Sequence, residues 1–444
     1  MNTTDPRVSV RLNKMSRFQL SLVLFCVLLA ALDGFDVLVM AFVAPALAKS
    51  WQLSATALGG LFSAGLIGMA CGAFFIAPLG DRFGRRPVVL GCLLLLTIAM
   101  FASAFTGSFT TMFIARLLTG IGVGAMLTTV NIVITEFSND NRRSLCNAGM
   151  SVGVPLGATL GGLLSVALIH AYGWQAPFIF GGVLGALLLP AAWKIFPESL
   201  DFLIEKQPSA ALQKLNTTLA RLDVQPMAEL PARSELASGS LPLVGLFSEG
   251  LRTRLLLVCA LNFCILMTFY FVSSWIPKIL SDAGLSISGG ISGSMLLSLG
   301  GMVGCLVYGL YATKVGTHRL AALALIGLFV MMQVFSNMEY NHYLLIPVAL
   351  VLGFFLYSTV TTLYVIVPLV FPPALRSTGT GLAMGVGRIG AFSGPFVAGV
   401  LIDAGWSRGE YFLLLGMPIL ASALMIYALY SSAQKAIKLQ PLAE

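Results

Sequence analysis

The sequence predicts an all-α membrane protein: twelve transmembrane helices in two parallel six-helix repeats around a central cavity. Three observations lead there. The 444 residues are 57% hydrophobic and 10% charged, with a mean hydropathy of +0.91, whereas a soluble chain carries about 25% charged residues. Apolar runs of about 20 residues recur along the chain, each long enough to cross a ~30 Å hydrocarbon core as a helix. Landmarks of the first half also reappear at a constant distance in the second. Length alone would allow two soluble domains, but no segment is polar enough to build their surfaces.

The first apolar run follows a basic tail (Arg7, Arg11, Lys14, Arg17), as a signal peptide would. It extends from about residue 18 to 47, too long for a signal core, and no small-x-small cleavage site ends it. It is read as a retained helix. Eleven further spans follow at 57–79, 88–107, 109–136, 145–170, 176–196, 254–281, 289–313, 319–337, 343–370, 377–402 and 410–431. Short loops join them, except for 197–252, a polar stretch of mixed charge with several prolines. This stretch reads as a cytoplasmic linker between an N-terminal half (1–196) and a C-terminal half (253–444). The seven cysteines lie in or beside apolar spans without ligand-like spacing, so they are read as packing residues and no metal site is expected.

Loop charge sets the orientation. With both termini on one side, that side holds 21 of the 26 Lys and Arg residues, and the opposite loops hold Lys49, Lys278 and Arg408. Basic loops stay cytoplasmic, so both termini are expected inside a bacterial-type inner (plasma) membrane. The net charge of +8 follows from this bias and calls for no nucleic-acid partner.

The repeat is visible in four landmarks. Ala77–Pro87 (APLGDRFGRRP) has a worn counterpart in Gly309–Arg319 (GLYATKVGTHR), with Asp81 matching Thr313 and Arg82 matching Lys314 at an offset of 232. Pro45 and Pro277 share that offset. Arg143-Ser144 and Arg376-Ser377, which open glycine-rich spans five and eleven, are 233 apart. Parallel six-helix repeats around a central site are a known transporter plan.

On these residues the chain resembles the major facilitator superfamily over nearly its whole length. Asp81-Arg82-Phe83-Gly84-Arg85-Arg86 matches its D-R-x-G-R-R signature, with Ala77 departing from the usual Gly. Arg116-x-x-x-Gly120-x-Gly122-x-Gly124 matches a second motif, and Pro197-Glu198-Ser199-Leu200 is similar to a box found in some branches. Asp33-Gly34-Phe35-Asp36 in span one and Gly385-x-Gly387-Arg388-x-Gly390-x-x-x-Gly394-Pro395 in span eleven resemble the aromatic acid:proton symporter branch. The resemblance implies the major facilitator fold, a monomer without cofactor, and a cavity lined by spans one, four, seven and ten. It also implies a cytoplasmic gate built from Asp81, Arg82, Gly84, Arg85 and Arg86, with Asp81 capping or pairing near the start of span eleven. Glu136, with Arg142 or Arg143, would extend that charge network.

Few charges lie deep in the spans: Asp33, Asp36, Arg116 and Arg388. Ionisable groups at that depth are costly and raise a functional hypothesis. Asp33 lies some ~22 Å along span one at 1.5 Å per residue, and Asp36 shares its face three residues on. Arg116 on span four is placed at a depth like that of Asp36. One reading makes the acids a proton site; the other makes Asp36 and Arg116 a structural ion pair. Two acids against one nearby base favour proton coupling. Arg388 offers a planar fork for a carboxylate, with Tyr270, Ser274, Trp275, Tyr357, Thr361 and Tyr364 as candidate cavity groups on spans seven and ten. Each of these side chains would equally serve as packing.

The combined expectation is a proton-coupled symporter importing a small organic anion, such as a benzoate or hydroxybenzoate. The alternative is a proton-coupled drug or metabolite exporter of the same superfamily. A membrane enzyme would need convergent nucleophile–base or metal-ligand sets. His170, His318 and His342 lie near span ends and supply none.

Overall fold

The computed structural model describes residues 5–231, 246–247, 249–338, 342–372 and 375–438. Every regular element among them is helical: α1 (Pro6–Leu12), α2 (Arg17–Trp51), α3 (Ala55–Cys71), α4 (Leu79–Phe83), α5 (Arg85–Ala104), α6 (Phe109–Phe137), α7 (Arg143–Tyr172) and α8 (Ala176–Ile195). After these come α9 (Leu200–Lys206), α10 (Ala211–Arg221), α11 (Glu249–Asp282), α12 (Ile287–Val315), α13 (Thr317–Asn337), α14 (His342–Val370), α15 (Arg376–Asp403) and α16 (Arg408–Lys438). Among the described residues, twelve stretches are long and apolar enough to cross a membrane, the number expected. The second of them, Ala55–Phe83, is not one smooth helix. A π-helical turn at Gly72–Ile76 interrupts it before α4.

Local chemistry marks the helix ends. Ser108 and Thr111 form a reciprocal capping box at α6, and Ser286 caps α12 through the Gly289 amide, satisfying donors that the first turn leaves open. Gly84 (φ +104°) and Gly316 (φ +93°) make the sharp breaks before α5 and α13. These two glycines occupy equivalent places in the two repeats, where a residue with a Cβ would be strained.

Two stretches read from sequence as irregular are folded. The basic tail contains α1, whose N-terminus is capped by the Asp5 side chain. From there Arg7 reaches Asp201 (3.3 Å) and Glu205 (3.1 Å) on α9. The linker 197–252 contributes α9 and α10, with Leu203, Leu215 and Leu219 fully buried. These leucines recur at helical spacing among polar residues, a pattern of short amphipathic helices that the prolines obscured. Residues 232–245 and 248 of that linker lie outside the described residues.

By contact the chain divides into two units. The first contains Met1–Val39, Ile67–Gly161 and Leu168–Ser240; the second contains Met40–Leu66, Gly162–Ala167 and Leu241–Glu444. In the first unit α5 packs on α6 and α8; in the second α11 packs on α15 and α12 on α14.

The repeat recurs in the packing, residue for residue. A Cβ on Gly157 would lie 1.8 Å from the Ala31 carbonyl oxygen, and one on Gly390 would lie 2.2 Å from that of Phe263. Likewise Gly68 abuts the Leu117 carbonyl and Gly300 that of Leu350, at 2.1 and 1.9 Å. Both of these contacts in the first unit have a partner 232 or 233 residues later in the second. Small residues at these crossings let two backbones touch, the main source of helix attraction where no water remains to be expelled.

Candidate functional site

Helix α2 uses its Gly34–Phe35 side for packing. A Cβ on Gly34 would stand 2.0 Å from the Val154 carbonyl oxygen of α7. The Phe35 ring fills the space over Gly161 and Gly181 and meets Phe180 edge-on at 5.9 Å. With that face occupied by α7 and α8, the carboxylates on either side of Gly34-Phe35 are carried towards α5 and α6.

Asp36 meets Arg116 of α6. Both terminal nitrogens of the guanidinium donate to Asp36 Oδ1 at 3.1 Å, and Nη2 also donates to Oδ2 and to the Asp36 carbonyl at 3.1 Å. The cation lies 5.7 Å from the Phe178 ring centre and 3.7 Å from Met100 Sδ. Both partners are 2% exposed. Of the two readings of Asp36, the ion pair is the one formed here. A buried pair of this kind is costly to break from one side, by about 3–5 kcal/mol, because the remaining charge is left uncompensated.

Asp33 is in a different position. It is equally buried at 2%, yet its Oδ1 has no hydrogen-bond partner, and no basic side chain among the described residues pairs with it. Cys92 of α5 lies within its electrostatic reach. Two carboxylates three residues apart therefore have unequal surroundings: one is neutralised by Arg116 and one is not.

In the second unit, Arg388 of α15 is half-buried and forms no salt bridge among the described residues. Tyr364 lies within electrostatic range of Arg388 and Tyr270, and Tyr357 within that of Tyr270. Phe269 packs edge-on against both Tyr270 and Tyr357, at 5.1 and 5.0 Å. The structure thus gathers Arg388, Tyr270, Tyr357 and Tyr364, from three helices, into one neighbourhood.

The other three expected cavity groups are buried or bonded within the helices. Trp275 is 1% exposed and donates its indole N–H to the Pro395 carbonyl at 3.0 Å, so it is packed into the α11–α15 contact. Ser274 is 6% exposed. The Thr361 hydroxyl donates back to the Tyr357 carbonyl (3.0 Å).

Sequence reading passed over Asn262 of α11. It is fully buried, its Nδ2 donates to the Val258 carbonyl at 2.9 Å, and its Oδ1 has no partner. It lies against Gly387, the residue before Arg388. A polar residue inside an apolar span was the available signal, and attention to charges alone missed it.

The Asp81–Arg86 loop forms a network within the first unit. Arg85 pairs with Glu136 of α6 and with Asp81 (3.5 Å), and donates to the Ser199 hydroxyl at 3.2 Å. Arg86 donates to the Trp193 carbonyl at 2.6 Å and lies over that ring; Arg82 lies over Phe83. Glu136 is thus joined to Arg85, whereas Arg143, one of the two bases expected beside it, is taken by Asp140 at 2.9 Å. Arg143 and Asp140 are three residues apart at the start of a helix, and that local pairing outcompetes the longer reach.

The unanticipated member is Glu198. Its Oε1 accepts from the amides of Arg85 (2.7 Å), Arg86 (3.3 Å) and Ser199 (3.0 Å), capping α5 with a full charge at the positive end of the helix. A Cβ on Gly84 would come within 2.4 Å of Glu198 Oε2, which gives the glycine of the loop a second reason beyond its φ.

Among the described residues, twelve apolar helices in a twofold repeat, with a few buried charges that the repeat does not duplicate, define a multi-pass membrane protein. The chain belongs to the Major Facilitator Superfamily, whose profile matches residues 24–336. It is 34% identical to a gallate transporter of Pseudomonas putida, over 93% of this chain and 92% of that one. It is 29% identical to the 4-hydroxybenzoate transporter of the same organism, over 93% of each. A 3-(3-hydroxy-phenyl)propionate transporter of Escherichia coli K12 matches at 28% over the full length of both chains. Among solved structures, the inward-open xylose transporter XylE of E. coli superposes with a TM-score of 0.71. It covers 92% of this chain and 96% of that one at 17% identity, a likeness of fold.

Proposed function

We propose that this protein is a proton-coupled symporter that imports a small aromatic carboxylate across the bacterial inner membrane by alternating access, with both termini cytoplasmic. The substrate class rests on relatives matched over nearly their whole length, named for gallate, 4-hydroxybenzoate and hydroxyphenylpropionate. The Arg388 neighbourhood suits such a ligand. Its guanidinium offers a planar fork for the carboxylate, and the rings of Tyr270, Tyr357 and Tyr364 offer apolar faces with hydroxyl tips. The 21-to-3 division of basic residues supports the orientation.

The observation that carries the proton role is the inequality of the two acids. Asp36 has its cation and gains nothing from a proton while Arg116 is in place. Asp33 has none, and an uncompensated carboxylate in a dry interior costs several kcal/mol, which binding a proton removes. A group that is neutral when enclosed and ionised when wetted takes up a proton on one side and releases it on the other. Coupling requires that proton and substrate favour the same reorientation.

The test is uptake of labelled gallate, benzoate and 4-hydroxybenzoate into proteoliposomes, with and without an inward proton gradient. Uptake of at least one acid that the gradient accelerates is the expected result. A folded, reconstituted protein that moves none of them would overturn the substrate assignment. Uptake indifferent to the gradient would overturn the coupling.

A further inference from the structure

Helix α3 belongs to the first sequence repeat, yet its Ala55–Leu66 half is grouped by contact with the helices of the second unit. The contact responsible runs along α15 and has an unusual end. Asp403, the last residue of α15, accepts the Ala55 amide on Oδ1 at 2.9 Å and the Thr56 amide on Oδ2 at 2.7 Å. The next two amides of α3 are satisfied locally, Ala57 by the Ser54 hydroxyl (3.2 Å) and Leu58 by the Ser54 carbonyl (3.1 Å). The three open donors of the first turn of α3, Ala55, Thr56 and Ala57, therefore have partners before the helix's own ladder begins at Leu58, and a carboxylate nearly 350 residues away in sequence supplies two of them.

Below this cap the two helices touch through backbone. A Cβ on Gly399 would be 2.4 Å from the Ala55 carbonyl oxygen, and one on Gly59 2.6 Å from that of Pro395. The Ser63 hydroxyl donates to the Phe392 carbonyl at 2.6 Å. Phe62 packs edge-on against Trp275 at 5.4 Å, whose indole is bonded to Pro395. These contacts are buried, small and shape-matched. The Asp403 bonds alone are charge-assisted and exposed, so water can replace them when the helices part. A contact that is strong when made and inexpensive to break is what a carrier needs at a face it must open once per cycle.

We propose that Asp403 is a positioning residue for transport: its carboxylate, doubly bonded to the first two amides of α3, is the releasable lock that holds the α3–α15 interface shut at the face opposite the basic loops. This rests on the transport reading only in supposing that the interface opens during the cycle. Asp403 touches neither proton site nor substrate neighbourhood, so its removal changes how long this face stays closed rather than what is bound.

The test reads closure directly, without substrate. Ser63→Cys places a near-isosteric thiol on the buried face beneath the lock. Its labelling by a membrane-impermeant maleimide is followed in right-side-out vesicles, with the chain lacking the substitution as background for the native cysteines. Adding Asp403→Ala is expected to raise the labelling rate about ten-fold, the scale of one charge-assisted hydrogen bond. Asp403→Asn, which keeps one acceptor oxygen, falls between. Ala55→Pro removes one donor instead of the acceptor, at a first-turn position where proline is tolerated, and should raise labelling in the same direction. Unchanged labelling in Asp403→Ala and Ala55→Pro, with both well folded, would overturn the lock. If Asp403→Ala does not fold, Ala55→Pro and Asp403→Asn decide the matter. Raised labelling in a protein that moves no aromatic acid would leave the lock standing and sink the substrate assignment alone.

Discussion

Arg116 holds Asp36 through both terminal nitrogens, and the same guanidinium also bonds the Asp36 backbone carbonyl. The second repeat has no counterpart to this pair. The positions 232 and 233 residues on are Thr268 and Ala349, both fully buried, and the place of Asp33 is taken by Ile265. The glycine crossings are duplicated and the charges are not. The scaffold is therefore symmetric, while the chemistry is confined to one copy of each position.

Asp33→Asn should separate net transport from exchange. The amide matches the carboxyl in shape but carries no exchangeable proton, so gradient-driven uptake is expected to fall by at least about ten-fold. Counterflow of substrate between equal pools should survive. Loss of both would assign Asp33 to the structure rather than to the proton.

Removing one member of the buried pair should destabilise far more than removing both. Arg116→Met is expected to cost about 3–5 kcal/mol, and Asp36→Asn combined with Arg116→Met to recover a large part of it. Thermal midpoints of the single and double variants in detergent measure this coupling. Additive losses would mean that the pair contributes less than its geometry implies.

Glycine substitutions should follow the repeat. Gly157→Ala and Gly390→Ala both drive a methyl group into a carbonyl oxygen and should each cost about 1–3 kcal/mol or more. Gly309 of α12 has nothing within 4 Å of its would-be Cβ; Gly309→Ala should stabilise by about 0.5–1 kcal/mol through backbone entropy. The same detergent melts test all three, and opposite signs are the expected signature.

Arg388→Lys keeps the charge and loses the fork. Substrate KM is expected to rise about ten-fold or more with a smaller change in maximal rate. An unaltered KM would move the carboxylate elsewhere, and Asn262 would be the next residue to change.

Glu198→Ala should loosen the start of α5. Three amides lose a charged acceptor, a cost of about 1.5–3 kcal/mol, and Glu198→Gln should lose less because one oxygen remains. Hydrogen exchange at the Arg85 and Arg86 amides would report the cap directly, and protection equal to that of the native chain would count against it.

Much of this architecture was legible without coordinates. The number of spans followed from hydropathy, because a helix is the simplest way for one segment to satisfy its own backbone in lipid. The repeat followed from spacing, and Asp33, Asp36, Arg116 and Arg388 stood out because charge is rare at such depth. What stayed illegible was partnership. Arg143 went to Asp140 and Glu136 to Arg85, because the choice between two nearby acids is decided by ångströms and not by sequence order. Trp275 looked like a cavity residue, but its indole found the Pro395 carbonyl, which sequence alone does not place beside it.

The sequence by itself determined a twelve-span, twice-repeated membrane chain with a basic side and a few buried charges, because hydrophobic length and charge bias act locally along the chain. Only the tertiary structure decided that Asp36 is neutralised and Asp33 is not, that Glu198 caps α5 over Gly84, and that Asp403 closes on α3. Each of those depends on a contact between distant segments, where a difference of about one ångström decides whether a charge has a partner.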